Sequence, residues 1–292
     1  MSNIDTLKNW FWQGLYFINK KWAATYGYYR ISHGEKMNWE NPTDLREKII
    51  WLQFNSDTSL WTLCADKLRV RKYVEENGCG DTLNELYGAW DDANDIDYSL
   101  LPDSFVLKTN NSCGQMYFVR DKSRCDIKTM NRRLNSWLKI KYGYHGAQMH
   151  YLKIVPKIIA ERLMINTEAP DKSLVDYKIW CFNGVPEVVW VAFNRTKDSY
   201  EYSAFDLDWN NVSEKVLDTG SEHYSGKDFP CPKSFSRMLE CARALSKPFK
   251  EVRVDYYDID GHAVFGELTF TAGNVYFTKD YYNYLGSKIC LT

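Results

Sequence analysis

The sequence predicts an α+β protein, in which helices and mostly antiparallel strands follow one another along the chain. Three observations lead to this class. Apolar residues recur at helical spacing through most of the first hundred residues. After Phe105 they alternate in short runs that turn signals separate. These runs are joined mainly as hairpins, which argues against a doubly wound parallel sheet.

The first hundred residues are predicted to be mainly helical. In NPTDLREKIIWLQF, residues 41–54, the segment Asn41-Pro42-Thr43 offers a cap, and apolar residues then recur at helical spacing. LWTLCADKLRVRKYVEENG, residues 60–78, continues as helix with a bend and closes at Gly78. An acidic, loop-like stretch around DDANDID, residues 91–97, follows.

Strands and hairpins dominate the rest of the chain, with two helices among them. The predicted elements are paired strands in FVLKT (105–109) and MYFVR (116–120), a helix in MNRRLNSWLKIKYG (130–143), a strand in KIIAERLMI (157–165), a hairpin in DYKIWCFNGVPEVVWVAF (176–193) that turns at Asn183-Gly184, a helix in SRMLECARALSK (236–247) and a last hairpin in VRVDYYDIDGHAVFGELTF (252–270).

Composition excludes several classes of protein. The net charge of −1 and the pI of about 6.5 argue against a general nucleic-acid binder. The eight cysteines form no C-x-x-C pair and have no histidine cluster beside them, so we expect reduced thiols rather than a zinc site. With no secretion signal and no run long enough to span a bilayer, the expected location is cytoplasmic.

The segment WFWQGLYFINKKW, residues 10–22, is aromatic and ends in lysines. Two interpretations remain open. The segment is a helix packed on the protein's own core, which we favour, or it gives weak association with a membrane surface, at the inner face of the membrane.

The last hairpin places charges on its strands, and the length of its turn decides whether they meet. A two-residue turn at Asp260-Gly261 would set Asp255 opposite Gly266 and leave Glu267 on the other face. A three-residue loop ending at the same glycine would set Arg253 opposite Glu267, with Asp255 diagonal on that face. We predict the three-residue loop and two carboxylates that share Mg²⁺. The alternative is a solvent-exposed face with an Arg–Glu pair of little energetic value.

Lys108 ends the strand FVLKT and precedes a loop of small polar residues, NNSCG (110–114). Such a loop lets backbone N–H groups close over a phosphate that the ammonium also contacts. No G-x-x-x-x-G-K-[ST] motif is present. The alternative is an edge strand that an exposed lysine protects. In either case we expect the removal of an exposed strand-end lysine to change stability little.

The order of these motifs resembles the ATP-grasp superfamily, and most closely its teichuronopeptide-biosynthesis (TupA-like) family, linked to bacterial cell-surface polysaccharides. The stretches that carry the resemblance, in order, are NPTDLREKIIWLQ, DKLRVRKYV, FVLKTNNSCG, DYKIWCFNGVP and FGELTFTA. It extends from about Asn41 to the C-terminus. The resemblance implies an ATP-grasp fold, with a mainly helical region at 1–102, a small lobe at 103–163 and a C-terminal lobe at 164–292, the two α+β lobes gripping ATP.

The resemblance also implies ATP and two Mg²⁺ ions as cofactors, with a role for each matching residue. The assigned residues are Lys67, Lys108, Ser112, Cys113 and Gly114 for the phosphates, Glu161 and the backbone of Arg162 and Leu163 for the adenine, Lys178 and Arg253 for phosphate contacts and catalysis, and Asp255, Glu267 and Thr269 for the metal. Clamping the charge of ATP takes several lysines and a metal ion, which is consistent with this set.

Two departures from the family pattern bear on the site. The loop after Lys108 keeps one glycine and lacks the histidine found in relatives. Many ATP-grasp enzymes place asparagine two residues after the metal-binding glutamate, where Thr269 stands here. A hydroxyl is a weaker magnesium ligand than an amide carbonyl, and Asn274 is a candidate to compensate.

The function that the resemblance implies is ATP-dependent carboxylate–amine ligation through an acyl phosphate. The expected substrates are a small molecule or glycan that carries a uronic acid and an amine or amino acid that decorates it. A sugar kinase on the same scaffold and a non-catalytic glycan-binding protein rich in Trp and Tyr are the alternatives. A glycosyltransferase is disfavoured, because the D-x-D of DLDWN, residues 206–210, is typical of a strand end that enters a turn.

Overall fold

A computed structural model of the chain describes residues 3–112, 114–167, 173–196, 199–272 and 276–291. Within them the helices are α1 (Asn3–Ile18), α2 (Lys20–Ile31), α3 (Leu45–Asn55), α4 (Ser59–Ala65), α5 (Val70–Glu76), α6 (Ile127–Leu138), α7 (Met149–Leu152), α8 (Ser213–Val216), α9 (Phe235–Ser246) and α10 (Lys279–Ser287). The strands are β1 (Leu86–Trp90), β2 (Phe105–Thr109), β3 (Met116–Val119), β4 (Ile158–Arg162), β5 (Asp176–Phe182), β6 (Val185–Phe193), β7 (Glu201–Phe205), β8 (Val252–Ile259) and β9 (His262–Thr269).

The predicted α+β class is confirmed, and the chain forms two compact units. Unit 1 comprises Met1–Gly27, Thr58–Arg71 and Asn84–Met164, and unit 2 comprises Tyr28–Asp57, Lys72–Leu83 and Ile165–Thr292. The first hundred residues are mainly helical, as predicted, and contribute to both units. The division into regions 1–102, 103–163 and 164–292 stays a prediction about domains.

Unit 1 contains an antiparallel sheet with the described strands in the order β1-β4-β2-β3. The pairing of FVLKT with MYFVR is confirmed, whereas β1 was missed because its sequence, LYGAW, precedes an acidic stretch that resembles a loop. One face of the sheet is apolar and carries Phe105, Leu107 and Ala160, all fully buried. Helix α6 covers this face with Met130, Leu134 and Trp137.

Helix positions differ from the prediction in two places. The helix predicted at 130–143 begins at Ile127 and ends at Leu138, because the Asp126 carboxylate caps the Thr129 N–H at 3.1 Å. The cap of α3 is Asp44 rather than the preceding Asn41-Pro42-Thr43 segment. Asp44 and Glu47 form a reciprocal capping box, which fixes the start of the helix one residue later. The predicted bend in residues 60–78 is confirmed where α4 ends and α5 begins.

Unit 2 contains a second antiparallel sheet, with the described strands in the order β7-β6-β5-β8-β9. The predicted turn between β5 and β6 is confirmed, since Asn183 and Gly184 have φ angles of 52° and 81°. Two positive φ angles are the signature of a type I′ turn, which suits the twist of a hairpin. Helix α9 packs on the sheet with Met238, Ala242 and Leu245 fully buried.

The last hairpin turns differently from the prediction. Ile259 pairs with His262, so the turn has two residues, Asp260 and Gly261, with φ angles of 54° and 82°. The predicted three-residue loop is therefore wrong. The extra residue lies further along the hairpin, as a bulge that makes Gly266 unpaired and sets Asp255 directly opposite Glu267. The two carboxylates still share a face, as expected, although Arg253 lies opposite Thr269 rather than Glu267.

The remaining expectations concern cysteines and membranes. All seven cysteines among the described residues are free thiols. Across the same residues, none of the helices combines the length and the apolar character that crossing a bilayer demands.

Candidate active site

Lys108 lies on the face of the unit 1 sheet opposite the apolar core. Its ammonium is 2.8 Å from the Glu161 carboxylate, and both side chains are largely buried, with 15% and 8% exposed. The Arg71 guanidinium lies 3.9 Å from the other oxygen of Glu161. The expectation of an exposed lysine is therefore wrong, because register brings the β4 carboxylate beside it. Lys108 and Glu161, assigned separately to phosphate and adenine, form one ion pair.

Asn110 ties the loop after β2 to two other segments. Its side-chain amide donates to the Asp66 carboxylate at 2.9 Å and to the Val155 carbonyl at 3.0 Å, and its side-chain oxygen accepts from the Lys157 N–H. Its carbonyl accepts the Lys67 N–H at 3.0 Å. The backbone of Lys67 is thus fixed beside the loop that follows Lys108. Sequence reasoning missed Asn110 and Asp66, because polar residues in a loop give no signal of burial.

The loop residues assigned to phosphate binding are described in part. Ser112 is buried and its hydroxyl donates to the Thr109 carbonyl at 3.2 Å. Gly114 is exposed and has a φ of 75°, a conformation that glycine adopts without strain. Cys113 lies outside the described residues. The side-chain oxygen Oδ1 of the neighbouring Asn111 is buried with no hydrogen-bond partner in the described part of the chain, so it is an available acceptor.

The residues assigned to adenine stand at the end of β4. The Arg162 N–H donates to the Glu85 carbonyl at 2.9 Å, so this donor is already used within the sheet. Leu163 follows as the first residue after the strand and is half-buried. On the same sheet face as Lys108 and Glu161 lie four apolar side chains, of which Val106 and Ile159 are buried and Met116 and Phe118 are exposed. Met116 and Phe118 are 45% and 56% exposed, which suits contact with a flat ring.

Asp255 is the centre of a buried ion cluster in unit 2. The Arg253 guanidinium donates from Nε and Nη2 to the two carboxylate oxygens of Asp255, both at 2.7 Å. The Lys178 ammonium adds a contact of 2.6 Å from the neighbouring strand β5. Burial opposes the charge of Arg253, but the Asp255 carboxylate outweighs it and raises the pKa of the guanidinium above its usual range. The Arg253 guanidinium therefore keeps its positive charge beside Asp255.

Asp176 extends this cluster and was missed by sequence reasoning. It precedes Lys178 by two residues on β5, so both side chains lie on one face, and its carboxylate is 3.3 Å from the ammonium. The half-exposed Arg195 contacts its other oxygen at 2.8 Å. Burial, and next the negative charge of Asp176, raise the pKa of the Tyr257 phenol well above its ordinary value. Alternation along DYK is the signal that could have identified Asp176.

Thr269 links Arg253 to Glu267. Its hydroxyl accepts from Arg253 Nη2 at 3.2 Å and donates to Glu267 Oε1 at 3.0 Å. Arg253 Nη2 is also 3.7 Å from Glu267 Oε1. The sequence assigned Thr269 to the metal, whereas here its proton is directed to the glutamate. Asn274, the other candidate for that role, lies outside the described residues.

The side chains on this face fit Mg²⁺ only if phosphate oxygens supply further ligands. Counting Arg195, the face carries three carboxylates, from Asp176, Asp255 and Glu267, and three cations, so its charge is balanced. No group of three or more His, Cys, Asp or Glu side chains suited to a metal occurs among the described residues. Mg²⁺ commonly takes one or two carboxylates and completes its shell with phosphate oxygens and water. The side chains therefore suit an ion that arrives together with a nucleotide's phosphates.

Glu251 lies next to this cluster at the start of β8. It is 1% exposed, and neither carboxylate oxygen has a hydrogen-bond partner among the described residues. Burial raises the pKa of this carboxyl well above its ordinary value, although the charge of Arg253 partly offsets the effect. Burial thus favours the neutral form of Glu251 over the carboxylate.

The D-x-D letters at 206–210 form a turn, as predicted. Strand β7 ends at Phe205, and the Asp206 carboxylate accepts the N–H groups of Asp208 and Asn210 at 3.0 Å and 2.7 Å. Its oxygens are used to close this turn, which is the behaviour of an Asx turn rather than of a metal ligand.

Comparison with known proteins gives a family and several distant structures. The family model described as TupA-like ATPgrasp matches residues 47–290. Three similar structures are a D-alanine–D-alanine ligase from Bacillus anthracis complexed with ATP (15% identity, 78% of this chain, 65% of that chain, TM-score 0.47), an L-amino acid ligase from Bacillus licheniformis (13%, 77%, 48%, 0.46) and the D-cycloserine synthetase DcsG (13%, 96%, 80%, 0.47). The chain thus spans slightly less than two thirds of the length of the first of these. No curated protein matches the chain.

The family match covers most of the chain, from the first turn of α3 to Cys290. It includes Lys108 and Glu161 of the ion pair in unit 1 and Lys178, Arg253 and Asp255 of the ion cluster in unit 2. The predicted family is therefore confirmed: the chain belongs to the TupA-like ATPgrasp family.

Proposed function

We propose that the protein is an ATP-dependent carboxylate–amine ligase. A substrate carboxylate oxygen attacks the γ-phosphorus of ATP, the bond to the β,γ-bridging oxygen breaks, and ADP leaves. The amine nitrogen then attacks the acyl carbon, inorganic phosphate leaves, and the nitrogen loses a proton to give the amide. Both steps move anionic groups past one another, so positioning and charge neutralisation are what the protein must supply.

The observation that carries the proposal is the balanced ion cluster on β5, β8 and β9. Buried ion pairs such as those of Asp255 with Arg253 and Lys178 give little net stability, so their presence favours a functional role. Because the face is balanced, an added Mg²⁺ is favourable only when it brings compensating negative charge, as Mg·ATP does. A glycan-binding protein has no use for such a face.

Arg253 and Lys178 are the residues that we assign to the phosphoryl step. Their bonds to Asp255 hold both cations in fixed positions. Pre-positioned cations stabilise negative charge that develops in the transition state without reorganising during the reaction. Glu267 and Asp255, with Thr269 beside them, would hold Mg²⁺, two ions in the full complex, and the metal would neutralise phosphate charge when bound.

Lys67, Lys108 and the loop at Ser112–Gly114 are the residues that we assign to the phosphates in unit 1. The ion pair with Glu161 orients Lys108, and Asn110 fixes the backbone at Lys67. The apolar face that Val106 and Ile159 form supports the assignment of the adenine to the same strands. Arg162, whose N–H is already used, would contribute through its carbonyl, with Leu163 next to it.

For the substrates, we propose a uronic acid of a bacterial surface polysaccharide or of its precursor as the carboxylate, and an amino acid or amine as the nucleophile. This finer assignment is supported by the family resemblance in the sequence. The high aromatic content of 16%, which includes 21 tyrosines, supports it too, because aromatic rings stack on sugar faces.

The test measures ADP release by the purified chain against a panel of sugar acids, each with and without a panel of amines. A ligase releases ADP and free phosphate only when both substrates are present, and mass spectrometry finds an amide. Glu267→Gln should abolish turnover, whereas Glu222→Gln, at a side chain that is 87% exposed, should leave it unchanged.

Two outcomes would replace the proposal. Phosphate that stays on the sugar, with no need for an amine, would identify the kinase alternative. Sugar binding that requires no nucleotide and survives Glu267→Gln would identify a glycan-binding protein. Calorimetry that detects no Mg·ATP binding by the folded chain would contradict every assignment above.

A further inference from the structure

Helix α1 exposes a continuous apolar stripe. Trp10, Phe11, Phe17 and Ile18 are 72%, 52%, 69% and 72% exposed. Their spacing of one, seven and eight residues places them on one face of a helix, with Gly14 between them. Trp22, near the start of α2, is 60% exposed. Single exposed apolar residues are ordinary, but a stripe of large ones marks an interaction surface.

The opposite face of α1 packs on the rest of unit 1. The helix is therefore held in place by that face, and the stripe faces away from this packing. Trp12 is 8% exposed, and its ring lies 4.1 Å from that of His145 and 5.3 Å from that of Tyr26. Tyr16 contacts Tyr144 at 5.1 Å. The expected packing on the protein's own core is therefore present, and the exposed stripe is additional to it.

Lysines lie close to the stripe in the sequence and beside Trp10 in the structure, and two stretches that contribute to this region contain no carboxylates. Residues 6–34 and 139–153 contain no Asp or Glu. The exposed Lys8, Lys20 and Lys21 belong to the first stretch. Lys139 and Lys141 belong to the second and line, with Trp10, a cavity of about 340 Å³ beside α1. The surface thus combines aromatic and aliphatic side chains with positive charge.

We propose that this surface, α1 with Trp22 and the lysines around it, binds an anionic lipid bilayer. A helix with one apolar face and flanking lysines lies in the plane of a membrane interface, with its apolar side chains at the level of the acyl boundary. Tryptophan and other aromatic residues favour that level, and lysines are attracted to anionic headgroups. This inference is independent of the proposed catalytic function.

Charge decides against a second copy of the chain as the occupant. A two-fold dimer places the same patch of both copies face to face. In a parallel pairing of the two helices Lys20 would approach Lys20 of the other copy, and in an antiparallel pairing it would approach Lys8, so positive charge meets positive charge in both cases. An anionic bilayer supplies both the apolar volume and the opposite charge.

The experiment is flotation of the full-length protein with vesicles of phosphatidylcholine alone or with 30–40% phosphatidylglycerol, at about 0.1 M salt. We expect binding to the anionic vesicles only. Phe17→Ser with Ile18→Ser should weaken it about tenfold or more per side chain. Lys20→Gln with Lys21→Gln should weaken it about fivefold per lysine, and less in high salt.

Matched control variants distinguish vesicle binding through this surface from nonspecific adsorption. Leu100→Ser removes an exposed apolar side chain that is 82% exposed and lies outside α1, and Lys72→Gln removes a lysine that is 81% exposed. Both should bind vesicles like the unaltered protein. Equal binding to both vesicle types, or unchanged binding of the α1 variants, would overturn the proposal. So would sedimentation that shows a dimer which Phe17→Ser with Ile18→Ser dissociates, without any vesicle binding.

Discussion

Asp255 and Glu267 lie directly opposite each other on β8 and β9 because Gly266 is an extra, unpaired residue in the hairpin. With the two-residue turn that this hairpin has and no bulge, Asp255 would face Gly266, and Glu267 would point to the other side of the sheet. A single residue thus decides whether the two carboxylates of the candidate metal site share a face.

Because Gly266 forms the bulge, we expect Gly266→Ala to reduce both stability and turnover. A methyl group there would lie 3.1 Å from the Asp255 carbonyl oxygen and 3.3 Å from the Tyr257 ring, closer than ordinary contact. We expect a loss of about 1–2 kcal/mol in the free energy of unfolding and a larger fractional loss of ATPase turnover, because the strand must shift beside Asp255. Urea unfolding and steady-state kinetics measure both.

Gly261→Ala is the control for that variant. Its φ of 82° makes alanine unfavourable by about 1 kcal/mol, a similar penalty, but the turn lies at the other end of the hairpin from Arg253 and Glu267. Turnover should therefore be retained. Equal losses of turnover in both variants would mean that stability, and not the register at Asp255, governs activity.

The Lys108–Glu161 ion pair predicts that Lys108→Ala is destabilising. Among the residues that the structure describes, Glu161 would remain buried with Arg71, 3.9 Å away, as its one neighbouring cation. We expect a loss of about 2–3 kcal/mol in stability and an ATP affinity lowered at least tenfold. Calorimetric titration with Mg·ATP and urea unfolding separate the two effects.

The double variant Lys108→Met with Glu161→Gln removes both charges. It should recover most of the stability, because no unpaired charge remains buried, but it should not recover ATP affinity. Recovery of ATP binding together with stability would show that Lys108 acts only through the fold.

Arg253→Lys tests the geometry of the cluster at constant charge. Lysine cannot reproduce the two parallel bonds at 2.7 Å that Arg253 makes to Asp255. We expect kcat to fall about a hundredfold while the Kd for ATP changes little, since the role assigned to Arg253 is in the transition state. Arg243→Lys, on the exposed side of α9, should change neither. A Kd that rises as much as kcat falls would reassign Arg253 to ground-state binding.

Glu251→Gln should raise stability above about pH 4.5. The pKa of the buried carboxyl is raised above its ordinary value of 4.5, so the folded protein keeps a proton that the unfolded chain loses as pH rises. Stability is therefore lost as pH rises from that value toward the folded pKa, by about 1.4 kcal/mol per pH unit. Glutamine is neutral throughout and avoids this loss.

Urea unfolding at pH 4.5 and 7.5 checks the effect. The variant should equal the unaltered protein at the lower pH and exceed it at the higher one. The exposed Glu222→Gln should show no such difference. A variant that is less stable at pH 7.5 would mean that the Glu251 carboxylate is ionised and paired in the folded protein.

Local patterns predicted most of the elements, because their causes are local. Alternation identified β2 and β5, and the Asn183-Gly184 turn follows from two residues that tolerate positive φ. Strand β1 was missed, because LYGAW has little alternation and is half-buried throughout. The Asp44–Glu47 capping box is visible in the sequence, but a neighbouring Asn-Pro-Thr segment competes with it.

The residues of the candidate site likewise fall into two groups, those that the sequence could identify and those that it could not. Asp255, Glu267, Arg253 and Lys108 could be selected from the sequence, since charged residues interrupt apolar strands there. Asp176 was missed but could have been identified from the alternation along DYK, whereas Asn110 could not, because its importance comes from contacts with residues distant in sequence, such as Asp66. The burial of Lys108 likewise depends on β4, which follows it by fifty residues.

By itself the sequence determined the α+β class, the family and the charged residues that strands would carry, because period and residue type are properties of neighbouring positions. Only the tertiary structure decided which of those charges meet: Lys108 with Glu161, Arg253 and Lys178 with Asp255, and Asp255 opposite Glu267. The physical reason is that strand register depends on pairing across the sheet, and one unpaired glycine changes that register without any change in the pattern of the strand itself.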